Sequence, residues 1–107
     1  MKRCGVYTIT NTINNKIYVG STTRLFCQRW GDHRVQLRSN KHHNIHLQRA
    51  WNKYGEDSLD FIILTTCGEH QLLKKEAEFI KKYNSLDATY GYNLTIPVVV
   101  STRNISK

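Results

Sequence analysis

Gly5-Val6-Tyr7-Thr8-Ile9-Thr10-Asn11-Thr12-Ile13-Asn14-Asn15-Lys16-Ile17-Tyr18-Val19-Gly20 is the stretch whose reading decides the fold. Two strand-prone runs, rich in β-branched and aromatic residues, flank a polar, Asn-rich segment. Asn tolerates the left-handed backbone that a tight loop requires, so the pattern reads as a β-hairpin. Each run carries a tyrosine beside a glycine and a valine, Gly5-Val6-Tyr7 and Tyr18-Val19-Gly20. Repeating a phenol in this way suggests a polar task between the two. The hairpin register then becomes decisive. In an antiparallel pair, facing positions have a constant sum, and successive side chains alternate faces. Tyr7 and Tyr18 share a face only when that sum is odd, as when they pair directly. An even register, such as Thr10 opposite Lys16, would put them on opposite faces.

The whole chain bounds what such a hairpin can serve. Its 107 residues allow one domain with a single modest core. A hydrophobic content of 39%, with one proline and six glycines, argues for a folded chain rather than a disordered or fibrous one. Sixteen Lys plus Arg against eight Asp plus Glu leave +8, with five histidines in addition. That surplus on a small body points to a polyanionic partner, nucleic acid before an anionic membrane, because no basic amphipathic helix or spanning segment is visible. Cys4, Cys27 and Cys67 are odd in number and lack C-x-x-C spacing. This disfavours a disulfide framework and a Cys-rich zinc site. With no apolar export segment after Met1-Lys2-Arg3-Cys4, an intracellular setting is expected, cytoplasmic or that of a viral protein acting in its host cell.

Downstream, Ser21-Thr22-Thr23 offers N-caps for a helix running to about Leu37, with Phe26, Trp30, His33 and Leu37 as its inward stripe. Arg29 and His33 stand one turn apart beside that stripe. A polar loop follows, and Asn44 caps a short helix with Leu47, Ala50, Trp51 and Tyr54 on its apolar face and Gly55 at its end. Leu59 to Leu64 reads as a buried strand. Glu69 to Tyr83 reads as the clearest helix, with Glu76 on its otherwise apolar side. Ile96-Pro97-Val98-Val99-Val100 is either a last short strand or the start of a linker. The order ββααβα defines an α+β fold, a small α/β domain with helices packed on an antiparallel sheet.

Hydrolysis of a phosphodiester needs an activated water, stabilised phosphoryl charge and an assisted leaving oxygen. The candidates are few. Arg29 suits the phosphoryl charge, because guanidinium is always protonated and can hold two oxygens at once. Glu76 suits a hard divalent cation that keeps most of its own waters. Tyr7 or Tyr18 can orient or deprotonate the water, provided a nearby cation lowers a phenol pKa of roughly 10. Each residue also has an ordinary reading: a packed strand tyrosine, a solvated arginine, a snorkelling glutamate, a packed histidine. His42, His43 and His46 would be the ligands of a zinc-dependent alternative.

In combination these residues resemble the GIY-YIG nuclease family. The resemblance runs from Gly5-Val6-Tyr7 and Tyr18-Val19-Gly20-Ser21 through Gln28-Arg29-Trp30, His33 and Asn44. It continues through Leu47-Gln48-Arg49-Ala50-Trp51-Asn52-Lys53-Tyr54-Gly55, Lys75-Glu76-Ala77-Glu78-Phe79-Ile80 and Gly91-Tyr92-Asn93. It spans about residues 4 to 95, and the middle segment is most similar to homing endonucleases of phages and mobile introns. The resemblance implies a three-stranded antiparallel sheet flanked by helices. It implies Tyr7 as general base or water-orienting group and Tyr18 at the scissile phosphate. Arg29 would be the phosphate-stabilising arginine, assisted by His33, while Glu76 would be the metal ligand and Asn93 would close the site. Lys16, Ser21, His42 and Arg49 are the expected nucleic-acid contacts. Val6 and Val19 stand where isoleucine is commoner, a volume-tolerant exchange.

The expectation is therefore a DNA endonuclease using one Mg2+ or Mn2+ ion per site, with no small-molecule cofactor, working as a monomer or transient dimer on DNA. Its products would carry 5′-phosphate and 3′-hydroxyl ends, as the resemblance implies. Residues 1–95 would form the catalytic domain and 96–107 a tail or linker. Homing members usually continue into a DNA-targeting module, and the sequence ends shortly after Asn93, so specificity should be poor and binding salt-sensitive. The rival is a non-catalytic nucleic-acid-binding module that retains the fold.

Overall fold

The computed structural model describes residues 2–97. Strand β1 (Arg3–Asn11) and strand β2 (Ile17–Leu25) form the hairpin, followed by helices α1 (Phe26–Arg38) and α2 (Ile45–Tyr54). Strand β3 (Leu59–Thr66) and helix α3 (Leu72–Tyr83) complete the unit, each entered through a single 3-10 turn. The sheet is antiparallel with the order β2-β1-β3, and the element order is the expected ββααβα.

The hairpin register is odd. Tyr7 faces Gly20 and Ile9 faces Tyr18 across the strands, so the tyrosines share a face as diagonal neighbours rather than as a direct pair. The turn is built from its asparagines. Asn15 adopts φ 65°, Asn11 Oδ1 accepts from Ile13 N–H at 2.9 Å, and Asn14 Oδ1 accepts from Lys16 N–H at 2.9 Å.

Central β1 buries both of its faces, and a core lies against each. Tyr7, Ile9 and Tyr18 pack with Phe26, Leu37 and Leu47 beneath α1 and α2, whereas Val6 and Val19 pack with Leu72 and Ile80 beneath α3. Burying an aliphatic or aromatic side chain of this size contributes about 1.5–3 kcal/mol, so covering both faces is worth more than one thicker layer. Helix α2 has the expected ends: Asn44 Oδ1 accepts from Leu47 N–H at 3.0 Å, and Gly55 sits at φ 91°.

Three expectations need correction. Ser21-Thr22-Thr23 does not cap α1; it belongs to β2, and the helix starts at Phe26. Thr is as much at home in a strand as at a cap, and β1 still supplies pairing partners this far along. Strand β3 is an edge rather than a buried strand, leaving Ile62 half-exposed. The first turn expected of α3, Glu69–Gln71, is 3-10 rather than α. Of the expected strand or linker Ile96-Pro97-Val98-Val99-Val100, the three valines lie outside the described residues.

The open edge of β2 is covered by the chain segment that follows α3. Ile17 N–H donates to Tyr90 O at 3.2 Å and Tyr92 N–H donates to Ile17 O at 3.0 Å. Asn93 then spans Val19 with its side chain, Oδ1 accepting from Val19 N–H at 2.8 Å and Nδ2 donating to Val19 O at 2.9 Å. An amide side chain thus completes the ladder where a fourth strand would otherwise pair.

Candidate active site

Tyr7 is fully buried against α1, its ring edge-on to Phe26, Trp30 and His33. Its Oη lies 2.5 Å from His33 Nε2. His33 Nδ1 in turn lies 2.7 Å from His42 Nε2, the two rings meeting edge to edge with centroids 5.0 Å apart and planes 19° apart. The far nitrogen of His42, Nδ1, accepts from Asn44 N–H at 3.0 Å.

That last contact fixes the direction of the whole chain. A backbone N–H can only donate, so His42 Nδ1 carries no proton. Burial and the neighbouring His43 charge lower the His42 pKa to about 4, and burial beside Arg29 lowers that of His33 to about 2. Both rings are therefore neutral at pH 7, with one proton each. His42 holds it on Nε2 and donates to His33 Nδ1; His33 holds it on Nε2 and donates to Tyr7 Oη. Tyr7 accepts, and its own proton is left to point elsewhere.

The pKa shifts have a consequence for stability. A histidine with a depressed folded pKa binds fewer protons folded than unfolded, so stability is complete above the unfolded value of 6.5 and is lost as pH falls below it. Discounted for relaxation of the two rings on protonation, the pair should cost about 1 kcal/mol or more by pH 5, roughly a 5 °C drop in Tm from its pH 7 value. Circular dichroism melts check this. His42→Gln, which removes one of the two titrations, should show a shallower fall; a flat wild-type profile between pH 7 and 5 would contradict the neutral relay.

Tyr18, also buried, turns its ring edge toward His33 and borders a cavity of about 290 Å³ together with His43, Asn44, Glu76 and Asn93. Glu76 comes from α3, on the opposite face of the sheet, and reaches the same cavity around β2. Ser21 Oγ donates to Glu76 Oε1 in a short hydrogen bond. Burial raises the Glu76 pKa, and it forms no ion pair with Lys or Arg among the described residues. A half-buried carboxylate on a polar cavity without a cationic neighbour in contact suits a hard divalent cation that keeps several waters. Among the described residues no group of three or more His, Cys, Asp or Glu could hold a metal, and Glu76 is the carboxylate that borders this cavity.

Arg29 is half-buried on α1. Its charge acts against the burial that raises Tyr7, Tyr18 and Glu76, so one guanidinium feels all three groups. Asn93 borders the cavity, and both ends of its amide are spent on Val19, which ties the segment after α3 to the strand carrying Tyr18. His42 was expected at the nucleic-acid surface and is only 7% exposed, whereas its neighbour His43, stacked on it, is exposed and lines the cavity. The sequence marks His43 only as a ligand of the zinc alternative. The three rings of that alternative diverge: His42 uses both nitrogens internally, His43 lines this cavity, and His46 lines another beyond α2.

The arrangement thus brings Tyr18, Glu76 and Asn93 to one cavity at the β2 edge, with His33 against Tyr18 and the buried Tyr7 on His33, while Arg29 acts on Tyr7, Tyr18, His33 and Glu76 without itself lining the cavity. Residues 3–93 match the GIY-YIG catalytic domain. The chain belongs to the GIY-YIG family. It is 37% identical over 97 residues to intron-associated endonuclease 1 of Enterobacteria phage T4, and 42% identical over 95 residues to the probable intron-encoded endonuclease 1 of Neurospora crassa. These alignments span 83% and 82% of this chain but only 39% and 29% of the relatives. Among solved structures, a mutant catalytic domain of intron endonuclease I-TevI superposes with a TM-score of 0.79 at 34% identity, covering 92% of this chain and all of that domain. The catalytic domain of homing endonuclease I-TevI gives 0.76 at 36% identity, over 87% of this chain and 99% of that domain. The GIY-YIG fold and a nuclease domain of the homing-endonuclease kind follow. No helix among the described residues is long and apolar enough to cross a membrane.

Proposed function

We propose that this GIY-YIG domain is a metal-dependent DNA endonuclease that hydrolyses a phosphodiester by water attack. The observation that carries the reading is the donor chain from Asn44 N–H through His42 and His33 to Tyr7 Oη, ending beside Tyr18 and the charge of Arg29. Burial raises the Tyr7 pKa, so the phenol is neutral in the free protein and its first task is orientation. His33 N–H holds one lone pair, leaving the other to accept a proton of the attacking water, while the phenolic proton is free for a phosphate oxygen. As Tyr7 takes up the water's proton it would pass its own to that phosphate oxygen, so the phenol stays neutral throughout and the His33 N–H keeps its oxygen in place.

Arg29 would receive the negative charge that builds on the phosphoryl oxygens. Tyr18 would donate to a non-bridging oxygen of the same phosphate. Glu76, oriented by Ser21, would hold a magnesium-type ion, which when bound supplies charge neutralisation at the leaving oxygen. Asn93 keeps the β2 edge in register so that Tyr18 stays in place. Residues 1–95 would make up this catalytic unit. DNA is proposed as the substrate from the +8 charge and from the kinship to intron endonucleases.

Incubation with supercoiled plasmid across a metal series tests the reading. Nicked or linear product is expected with Mg2+ or Mn2+, and none with a chelator. Binding without cutting under every metal would instead establish a nucleic-acid-binding module on this fold.

A further inference from the structure

Behind α2, away from Tyr18 and Glu76, a second concavity of about 150 Å³ opens between that helix and the β1–β2 turn. His46, Arg49 and Lys53 line it from the helix, at i, i+3 and i+7, and therefore from one face. Lys16 lines it from the turn. Among the described residues no carboxylate lines the cavity, and the ion pairs engage Arg24, Arg38 and Lys75 instead. Three cations thus face one small space from two separate elements, with no carboxylate contact to offset them. Like charges gathered this way repel, and a bound anion relieves the repulsion.

The turn that carries Lys16 is held by hydrogen bonds on both sides of that residue. Asn14 Oδ1 accepts the Lys16 N–H at 2.9 Å, and Asn11 N–H donates to Lys16 O at 2.9 Å. Tyr92 Oη supports the loop from below, accepting from Asn11 Nδ2 at 3.1 Å. Lys53 Nζ lies 5.2 Å from the centroid of the Tyr54 ring, which gives its stem and charge a preferred side. The Asn-rich turn, which the catalytic chemistry does not use, therefore fixes the backbone that presents Lys16.

The two cavities lie on either side of the α2 N-terminus. His43 and Asn44 border the catalytic one, His46 the other, while Asn44 Nδ2 donates to Tyr92 O at 2.9 Å between them. We infer that Lys16, Arg49 and Lys53 form a clamp for successive DNA backbone phosphates, about one to each cation, on the strand flanking the one being cut, so that the duplex is held at two places. The inference rests on the DNA-endonuclease reading for its ligand, and it deepens that reading by locating the contact that aligns the duplex. Phosphate contacts position a protein on DNA without reading sequence, which is what a pocket of cations with no base-reading edge can do.

The test is equilibrium binding of a fluorescent duplex of about 20 base pairs, in chelator so that nothing is cut, across a salt series. The variant Lys16→Gln/Arg49→Gln/Lys53→Gln is compared with a charge-matched control on the wet face of α3, Lys74→Gln/Lys81→Gln/Lys82→Gln. Each lost phosphate contact removes about 0.9 from the slope of log K against log salt, so the clamp variant should lose roughly 2–3 in slope and at least about tenfold in affinity at low salt. The control should lose less than about 1 in slope. Equal losses in the two triples, or a wild-type slope in the clamp variant, overturn the clamp. Melting curves establish that both triples are folded, and the single variant Arg49→Gln, expected to lose about 0.9 in slope, decides the matter if the triple is not. The plasmid assay separates the two readings. Cutting by a wild-type protein whose clamp variant binds normally refutes only the clamp; clamp-dependent binding without cutting refutes only the nuclease.

Discussion

Arg29→Ala is expected to lower DNA cleavage by about a thousandfold while leaving the melting temperature within a degree or two of wild type. The side chain is half-buried and enters no ion pair among the described residues, and its contact in the site is with the Tyr7 hydroxyl, whose pKa it lowers. Its removal therefore costs packing little. Its electrostatic reach is another matter. It is the cation that opposes burial at Tyr7, at Tyr18 and at Glu76, and burial already raises all three. Without it, a phosphate drawn toward Tyr18 would meet a site with no protonated guanidinium to take up the developing charge, and the phenol of Tyr7 would be harder still to deprotonate. Positioned arginines at transferring phosphoryl groups contribute on the order of 10³–10⁵ in rate, so the lower end is a fair expectation for one partly exposed. Arg29→Lys should recover only part of the loss, because an ammonium cannot hold two oxygens in a plane. Single-turnover cleavage with excess enzyme, alongside melting curves, decides it. A rate for Arg29→Ala within threefold of wild type would remove Arg29 from the chemistry.

Much of this was legible in the residues, and what was not has physical causes. The parity of the hairpin register, the Asn44 cap and the Gly55 terminus are local matters, set by side chains within a few positions of one another, and the structure has them as expected. The burial of β3 is not local. An Ile-rich strand reads as central, but which strand occupies the middle depends on the sheet order, and β1 takes that place. Ser21-Thr22-Thr23 misleads for a similar reason, since those residues serve a cap or a strand equally well and only pairing with β1 chooses. In the site, residue types pointed to Tyr7, Tyr18, Arg29, His33 and Glu76, because few side chains can do phosphoryl chemistry. The inward position of His42 and the use of Asn93 as a backbone clamp were not readable, because both depend on contacts made between distant segments. His43 carried a signal in being adjacent to His42, but adjacency alone does not say which ring turns outward.

The two glycines of the tyrosine triplets should fail in opposite ways, although each stands two positions from a tyrosine. A Cβ built on Gly5 would lie 2.0 Å from the backbone oxygen of Thr65 and 2.9 Å from Phe26 Cζ. Backbone cannot step aside, so β1 and β3 would have to separate where they pair. Gly5→Ala should cost about 3 kcal/mol or more, which for a domain of this size lowers the melting temperature by roughly 12 °C or more. A Cβ on Gly20 meets something else, the Cζ and Oη of Tyr7, each at 2.6 Å. In the odd register Gly20 faces Tyr7 directly, and the absence of a side chain there is what lets the phenol lie across β2 toward His33. The ring tip can yield where a backbone cannot, so Gly20→Ala should retain most of the stability. It cannot yield without losing its 2.5 Å contact to His33 Nε2. Displacing a catalytic oxygen by about 1 Å costs on the order of a hundredfold in rate, and that is the loss expected in cleavage. Melting temperature and single-turnover rate measured on both variants separate the two effects. Wild-type cleavage by Gly20→Ala would mean that the position of Tyr7 does not matter to the reaction. A wild-type melting temperature for Gly5→Ala would mean that the approach of β1 to β3 is looser than their pairing requires.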